Sequence, residues 1–382
     1  MPSKKKIILI GSVPPPHHGS NIYFNNLLNS KVKEEFDVSH LDISDHRNLD
    51  NLSKLDFTNV RIAIKNIILL FKMLRRINPD LVYIPVSSNF LPYLRDGLFI
   101  FTASYFSKAK IVIHLHEGNY FREEFFDNSN FIVKLFIKKS LSKVNAAVVY
   151  SERLKSVFDG LVKEIYAFPN GINDTYDNSY KEKSIKAKNN INISFLGNLF
   201  ESKGVLDVLN AAVIITKQFN KIEFNFAGAW SENEAQTKIN ADDIIKQNNL
   251  GKFVKFCGVL TGEQKENFLY QTDILLFPTW YKFEGCPLVI IEAMSFGIPV
   301  ISTKDIGTIH KMVINGETGI LVSIKNPAEI AAAIIKLIED SSLRSCMGKA
   351  GRKRFEKMFT MKRNVENIIG VFNKTLNHYL AQ

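Results

Sequence analysis

A chain of 382 residues is longer than one hydrophobic core usually grows, so two domains of somewhat under 200 residues each are expected. With 46% hydrophobic and 23% charged residues it is not an intrinsically disordered segment, and no apolar run reaches the ~18 residues of a membrane-spanning helix. The formal charge of +11 concentrates in residues 1–190, which hold 27 Lys and Arg against 19 Asp and Glu. That excess suits a phosphorylated small molecule or an anionic lipid surface. Nucleic acid is not expected, because no helix-turn-helix, zinc or RNP-type motif accompanies the charge.

In chain order, the opening MPSKKKIILIGSVPPP has too few apolar residues before its prolines for a secretory leader, and reads as a first buried strand of a cytoplasmic protein. Short β-branched runs then alternate with helical patterns: 6–12, 36–43, 80–87, 110–117, 145–151 and 164–171. This predicts an α/β, Rossmann-like doubly wound domain over 1–180. Residues 172–190 are polar, rich in Asn and Lys, and read as a linker. The alternation restarts with strands at 191–198, 222–228, 254–260, 273–279, 298–304 and 319–323, with helices such as 205–219 and 327–340 between them. A second Rossmann-like domain is therefore expected over 190–361. The tail reads as two helices joined near Phe359 and Thr360, the last of them, about 362–382, expected to pack back on the first domain. Cys257, Cys286 and Cys346 stand too far apart for a metal-ligand spacing.

Two successive sheets of this class direct attention to the loops at their carboxyl ends. In GSVPPPHHGSN, Gly19 and Ser20 precede a helix and let backbone approach a phosphate, while His17 and His18 read as loop residues. No G-x-G-x-x-G fingerprint is present, which argues against an NAD-type site. In IVIHLHEGNYF, His114 and His116 share a face; His114 reads as a core residue and His116 as able to meet a sugar hydroxyl or shift a proton. In FLGNLFESKG, Lys203 enters a helix N-terminus, where a diphosphate would offset its unfavourable place on the helix dipole. In FEGCPLVIIEA, Pro287 is expected at the first helical position, and the amides of Leu288 and Val289 are left open to an anion. Glu284 and Glu292 then flank a phosphate site and accept hydrogen bonds from sugar hydroxyls. The alternative for this pair is a solvated loop residue and a surface helix residue.

These motifs, with FPNGIN, NGETGILV and MGKAGRKRFEKMFT in the same order along nearly the whole chain, resemble the retaining glycosyltransferases of the GT-B fold, family 4, also called glycosyltransferase group 1. The resemblance implies a GT-B architecture, two Rossmann-like domains facing across a cleft, with the acceptor on the first and the nucleotide-sugar donor mainly on the second. It implies that Glu292 meets the ribose, Glu284 the donor sugar, Lys203 the diphosphate, Gly19 and Ser20 the phosphates from the other domain, and His116 the donor sugar. Gly258 and Val259 would lie beside the nucleobase. Asn198 stands where the family often has an arginine. The implied reaction is transfer of a hexosyl group, with retention and without metal or other cofactor, to a hydroxyl of a glycan or lipid-linked oligosaccharide in bacterial surface polysaccharide assembly. A sugar-nucleotide epimerase and a non-catalytic sugar-nucleotide-binding protein are the other classes compatible with such a cleft. The basic helix at 65–80 is a candidate contact with anionic lipid at the inner face of the plasma membrane, its alternative being an ordinary crossover helix with a solvated basic side.

Overall fold

Strand β1 (Lys6–Gly11) is an unbroken apolar run whose Ile7, Ile8, Leu9 and Ile10 are all fully buried, as a parallel strand covered on both faces requires. In the computed structural model, which describes residues 3–14, 19–44, 57–176 and 190–377, the chain continues through α1 (Gly19–Leu28), α2 (Val32–Glu35), β2 (Asp37–Asp42) and α3 (Phe57–Ile77). There follow β3 (Leu81–Val86), α4 (Phe90–Phe106), β4 (Lys110–Leu115), α5 (Phe131–Leu141), β5 (Ala146–Val149) and β6 (Glu164–Ala167). All neighbouring strands pair in parallel, in the order β2-β1-β3-β4-β5-β6. Right-handed crossovers put α1 on one face of this sheet and α3, α4 and α5 on the other, because the chain moves one way from β1 to β2 and the opposite way afterwards.

The second sheet contains β7 (Ile191–Leu196), β8 (Ile222–Ala227), β9 (Val254–Gly258), β10 (Ile274–Phe277), β11 (Val300–Thr303) and β12 (Gly319–Val322), also parallel, in the order β12-β11-β10-β7-β8-β9. Its helices are α6 (Val205–Ile215), α7 (Ala235–Gln247), α8 (Gly262–Gln271), α9 (Leu288–Ser295), α10 (Ile309–Met312), α11 (Pro327–Glu339) and α12 (Ser341–Met358). Its core joins Phe195, Phe224 and Leu276 of the strands to Leu209 of α6 and Ile334 of α11. α11 opens with Pro327 in its first turn and Asn326 as cap, the Asn326 Oδ1 accepting from the Glu329 amide at 3.1 Å.

The final helix, α13 (Met361–Asn377), belongs to the first sheet. Its apolar residues recur as Met361, Val365, Ile368 and Phe372 and join the core that covers the α1 face. The Tyr23 hydroxyl donates to Asn364 Oδ1 at 3.0 Å, and Asn364 Nδ2 donates to the Pro169 carbonyl at 2.8 Å.

The chain forms two compact units, one of Met1–Asn173, Phe283–Cys286 and Thr360–Gln382, the other of Asp174–Lys282 and Pro287–Phe359. This departs from ranges of 1–180 and 190–361 in three places, one of them being that Thr360 and Met361 already belong to the first unit. Asp174 already belongs to the second unit, where Arg352 binds it through two bonds of 2.5 and 2.7 Å. Residues 283–286 lie with the first unit, because Phe283 packs on Tyr120 with ring centroids 4.2 Å apart. Most of the linker read at 172–190, along with His17 and His18, lies outside the described residues.

Candidate functional site

In the second sheet β7 and β10 are neighbours, and the following strands leave them in opposite directions. The crevice at the carboxyl ends of two such strands is where open α/β sheets take ligands. Lys203 follows β7 and α9 follows β10, so the expected cation and the expected amides leave from adjacent strands at this point. Lys203 ends the turn Glu201–Lys203, and Gly204 caps α6 with φ +85. A Cβ on Gly204 would lie 2.5 Å from the Pro278 carbonyl oxygen, so only glycine fits there. The Trp280 amide donates to the Ser202 carbonyl at 2.8 Å, tying the lysine turn to the loop after β10. The Lys203 ammonium stands 4.3 Å from the centre of the Tyr281 ring and 5.5 Å from that of Phe277, two aromatic faces that hold a cation.

Pro287 is not the first residue of α9 but its cap, with φ −65 and ψ 118; its ring fixes φ while ψ stays extended. Ile290 already donates to the Pro287 carbonyl at 3.2 Å. Leu288 and Val289, both half-buried, are thus the amides without an intrahelical acceptor. Glu292 is not a solvated surface residue: Lys265 of α8 reaches it with Nζ 2.7 Å from Oε1, and its side chain is only 15% exposed.

Gly258 and Val259 stand apart from this point, at the end of edge strand β9, with Val259 60% exposed. They connect to it through turns: the Gly258 carbonyl accepts from Gly228 at 2.8 Å, and a Cβ on Gly228 would lie 1.8 Å from the Gly197 carbonyl oxygen. Asn198 follows in that turn, its carbonyl accepting from the Phe200 amide at 2.9 Å.

In the first unit Gly19 and Ser20 are the exposed opening residues of α1, beside the point where β1 and β3 are neighbours and the chain reverses direction. One turn later Tyr23 meets both histidines, its ring centroid 5.6 Å from that of His114 and 5.2 Å from that of His116. The two histidines stack on one face with centroids 4.2 Å apart, as their spacing along β4 dictates.

His116 Nδ1 is hydrogen-bonded to the Tyr150 hydroxyl. Burial raises the Tyr150 phenol well above its ordinary range, so it keeps its proton. Donated to Nδ1, that proton leaves the neutral ring's own hydrogen on Nε2. His114 is fully buried and held neutral, first by burial and then by His116, with Tyr83 Oη 2.6 Å from its Nδ1.

Glu284 is 8% exposed and enters this neighbourhood on the segment Phe283–Cys286. A Cβ on Gly285 would lie 2.4 Å from the His116 carbonyl oxygen, so the loop rests directly on the end of β4. Asn170 Nδ2 donates to the Cys286 carbonyl at 3.3 Å and fixes the other end. The structure therefore brings the backbone next to Glu284 onto the end of β4 at His116, a proximity that separation by 168 residues conceals in sequence.

Several participants carry no sequence signal of their own. Lys265 sits in an ordinary helical pattern, and Tyr150 follows β5 directly. Glu117, next to His116, is half-buried, but its Oε2 is shut away from solvent with no hydrogen-bond partner among the described residues. Burial pushes its carboxyl up to about 7, while Ser88 draws it partly back.

Residues 177–354 match the family profile described as glycosyl transferases group 1. An uncharacterized glycosyltransferase of Methanocaldococcus jannaschii, MJ1069, is 28% identical over 290 residues, 73% of this chain and 72% of the relative. The capsular polysaccharide biosynthesis glycosyltransferase CapM of Staphylococcus aureus is 30% identical over 203 residues, 52% of this chain and half the length of CapM. Among solved structures, Anabaena Alr3699/HepE in complex with UDP superposes with a TM-score of 0.71 at 15% identity, over 97% of this chain and 100% of that one. That likeness shows the fold, which is GT-B.

Proposed function

We propose that this chain, a group 1 glycosyl transferase by its residues 177–354, moves a hexosyl group from a nucleotide-sugar donor to a hydroxyl of a glycan or lipid-linked saccharide, with retention and without a metal ion. The observation that carries the reading is the placement of Lys203 and the open amides of Leu288 and Val289 on neighbouring strands of one switch point. An ammonium and a helix N-terminus together stabilise the negative charge that grows on a departing diphosphate.

In this reading the sugar-phosphate bond loosens first, and the acceptor hydroxyl attacks the oxocarbenium-like carbon from the face the diphosphate leaves. The hydroxyl proton passes to the diphosphate. Glu284 orients the donor sugar, His116 donates from Nε2 to a sugar oxygen, Glu292 accepts from the ribose, and Gly19 with Ser20 meets the phosphates. Gly258, Val259 and Asn198 complete the donor contacts. The UDP held by HepE supports a nucleoside diphosphate as leaving group, and the capsular polysaccharide biosynthesis of CapM supports a surface polysaccharide as product. The reaction belongs to the cytoplasm.

The test begins with thermal unfolding of the protein in UDP, GDP, ADP and dTDP sugars, since a ligand of the folded state raises Tm. The donor found is then incubated with saccharide acceptors, and the anomeric configuration of the product is read by NMR. An axial donor linkage giving an axial product is expected. Inversion, or conversion of the donor with no acceptor present, overturns the proposal.

A further inference from the structure

Helices α3, α4 and α5 form one layer on the first sheet, α3 against α4 and α4 against α5. Their inner residues, such as Leu70, Phe99 and Ile137, are fully buried. Their outer residues are not the polar set that a helix on a water-facing surface presents. Ile64 is 53% exposed, Phe106 50%, Tyr105 66%, and Phe131 and Ile132 at the start of α5 are each 77% exposed. The patch is continuous from α3 to α4, where the Phe71 and Phe106 rings meet at 4.9 Å. Large apolar groups exposed together on adjacent helices mark an interaction surface.

Charge identifies the occupant. The three helices hold nine Lys and Arg and one carboxylate, Asp96, which is fully buried and bound to Arg95 at 2.8 Å. Lys65, Lys72, Lys138 and Lys139 are exposed among the apolar side chains, and the Lys143 ammonium stands 5.5 Å from the centre of the Tyr105 ring. Lysine is depleted where two proteins meet, whereas at a lipid surface its stem lies along the apolar layer and its ammonium reaches the headgroups. No helix of the described residues is long and apolar enough to cross a membrane, so the layer would lie on a bilayer.

We infer that the α3-α4-α5 layer is a docking surface for an anionic lipid bilayer, with Phe131 and Ile132 entering the acyl boundary and the lysines meeting the headgroups. The basic helix read at 65–80 is α3, which ends at Ile77, and it is thus both a crossover helix and one third of a larger platform. This inference does not depend on the transfer reading: failure to bind vesicles leaves sugar transfer to a soluble acceptor untouched.

The full chain is sedimented with vesicles of 30 mol% phosphatidylglycerol in phosphatidylcholine, and with phosphatidylcholine alone, at low and high salt. Binding to the anionic vesicles at low salt is expected, falling about tenfold or more in high salt or without the anionic lipid. The double variant Phe131→Asp/Ile132→Asp should lose about tenfold in partition while keeping its circular dichroism and Tm, because both side chains lie in solvent. Lys138→Glu/Lys139→Glu should lose binding to a similar degree. Absence of binding by the wild type, or equal binding by both variants, overturns the inference. So does a dimer in light scattering that Phe131→Asp/Ile132→Asp converts to monomer, since a second copy would then cover the patch.

Discussion

Lys265 on α8 holds Glu292 on α9 through a 2.7 Å ion pair, so the carboxylate expected to meet a ribose is already fixed by a neighbouring helix. The pair engages Oε1, and in the proposed site Oε2 accepts hydroxyl hydrogens. Lys265→Met should raise KM for the donor about threefold to tenfold, the range of a partly exposed pair worth about 1 kcal/mol, with kcat nearly unchanged. Steady-state kinetics check this. A lower KM would mean that Lys265 competes with the ribose for Glu292.

In the proposed reaction Lys203 supplies the cation that balances a leaving diphosphate, and Asn198 provides no second one. Lys203→Ala should cost about 10² to 10³ in turnover at saturating donor, by comparison with loss of one oxyanion donor. Single-turnover measurements separate this from weaker binding. Normal turnover in the variant would remove Lys203 from the site.

Gly285 has no room for a Cβ, which would lie 2.4 Å from the His116 carbonyl and 3.0 Å from the Tyr150 ring. Gly285→Ala must lift the segment that carries Glu284 off the end of β4. A loss of about 10² in kcat is expected, the scale of a displaced positioning group. Thermal shift by the donor should persist, because Lys203 and α9 belong to the other unit. Equal activity would show that the Glu284 segment need not rest on the end of β4.

Glu117 carries a carboxyl raised by burial from near 4.5 to about 7. Between those values the folded protein holds a proton that the unfolded chain has released, so this group's contribution falls as pH rises and levels off above about 7. His114, kept neutral by burial, acts oppositely: the unfolded chain takes up its proton below 6.5, and stability is lost as pH falls. Comparing Glu117→Gln with wild type isolates the first effect. The variant should gain on the wild type between pH 5 and 8 by about 3 kcal/mol at most, read from urea midpoints at each pH. A constant difference across that range would contradict the assignment.

The central strands were legible in sequence because each is a short apolar run, such as KIILIGS or DILLFPT, bounded by turn residues and buried on both faces. The stacked pair His114 and His116 was legible for the same local reason, since alternate residues of a strand share a face. Gly204 shows how far local reading reaches. Its sequence context marks a turn, but its need to be glycine arises from the Pro278 carbonyl 2.5 Å from where a Cβ would stand.

What sequence determined by itself was the set of elements and the residue types at their ends, because propensity and apolar period act between residues close along the chain. Tertiary structure alone decided that β7 borders β10, that Lys265 reaches Glu292, that Gly285 rests on the His116 carbonyl, and that Phe131 and Ile132 face outward. Those relations depend on strand order and on which helix faces find a neighbour, and the energies that choose them come from contacts between segments far apart in the chain.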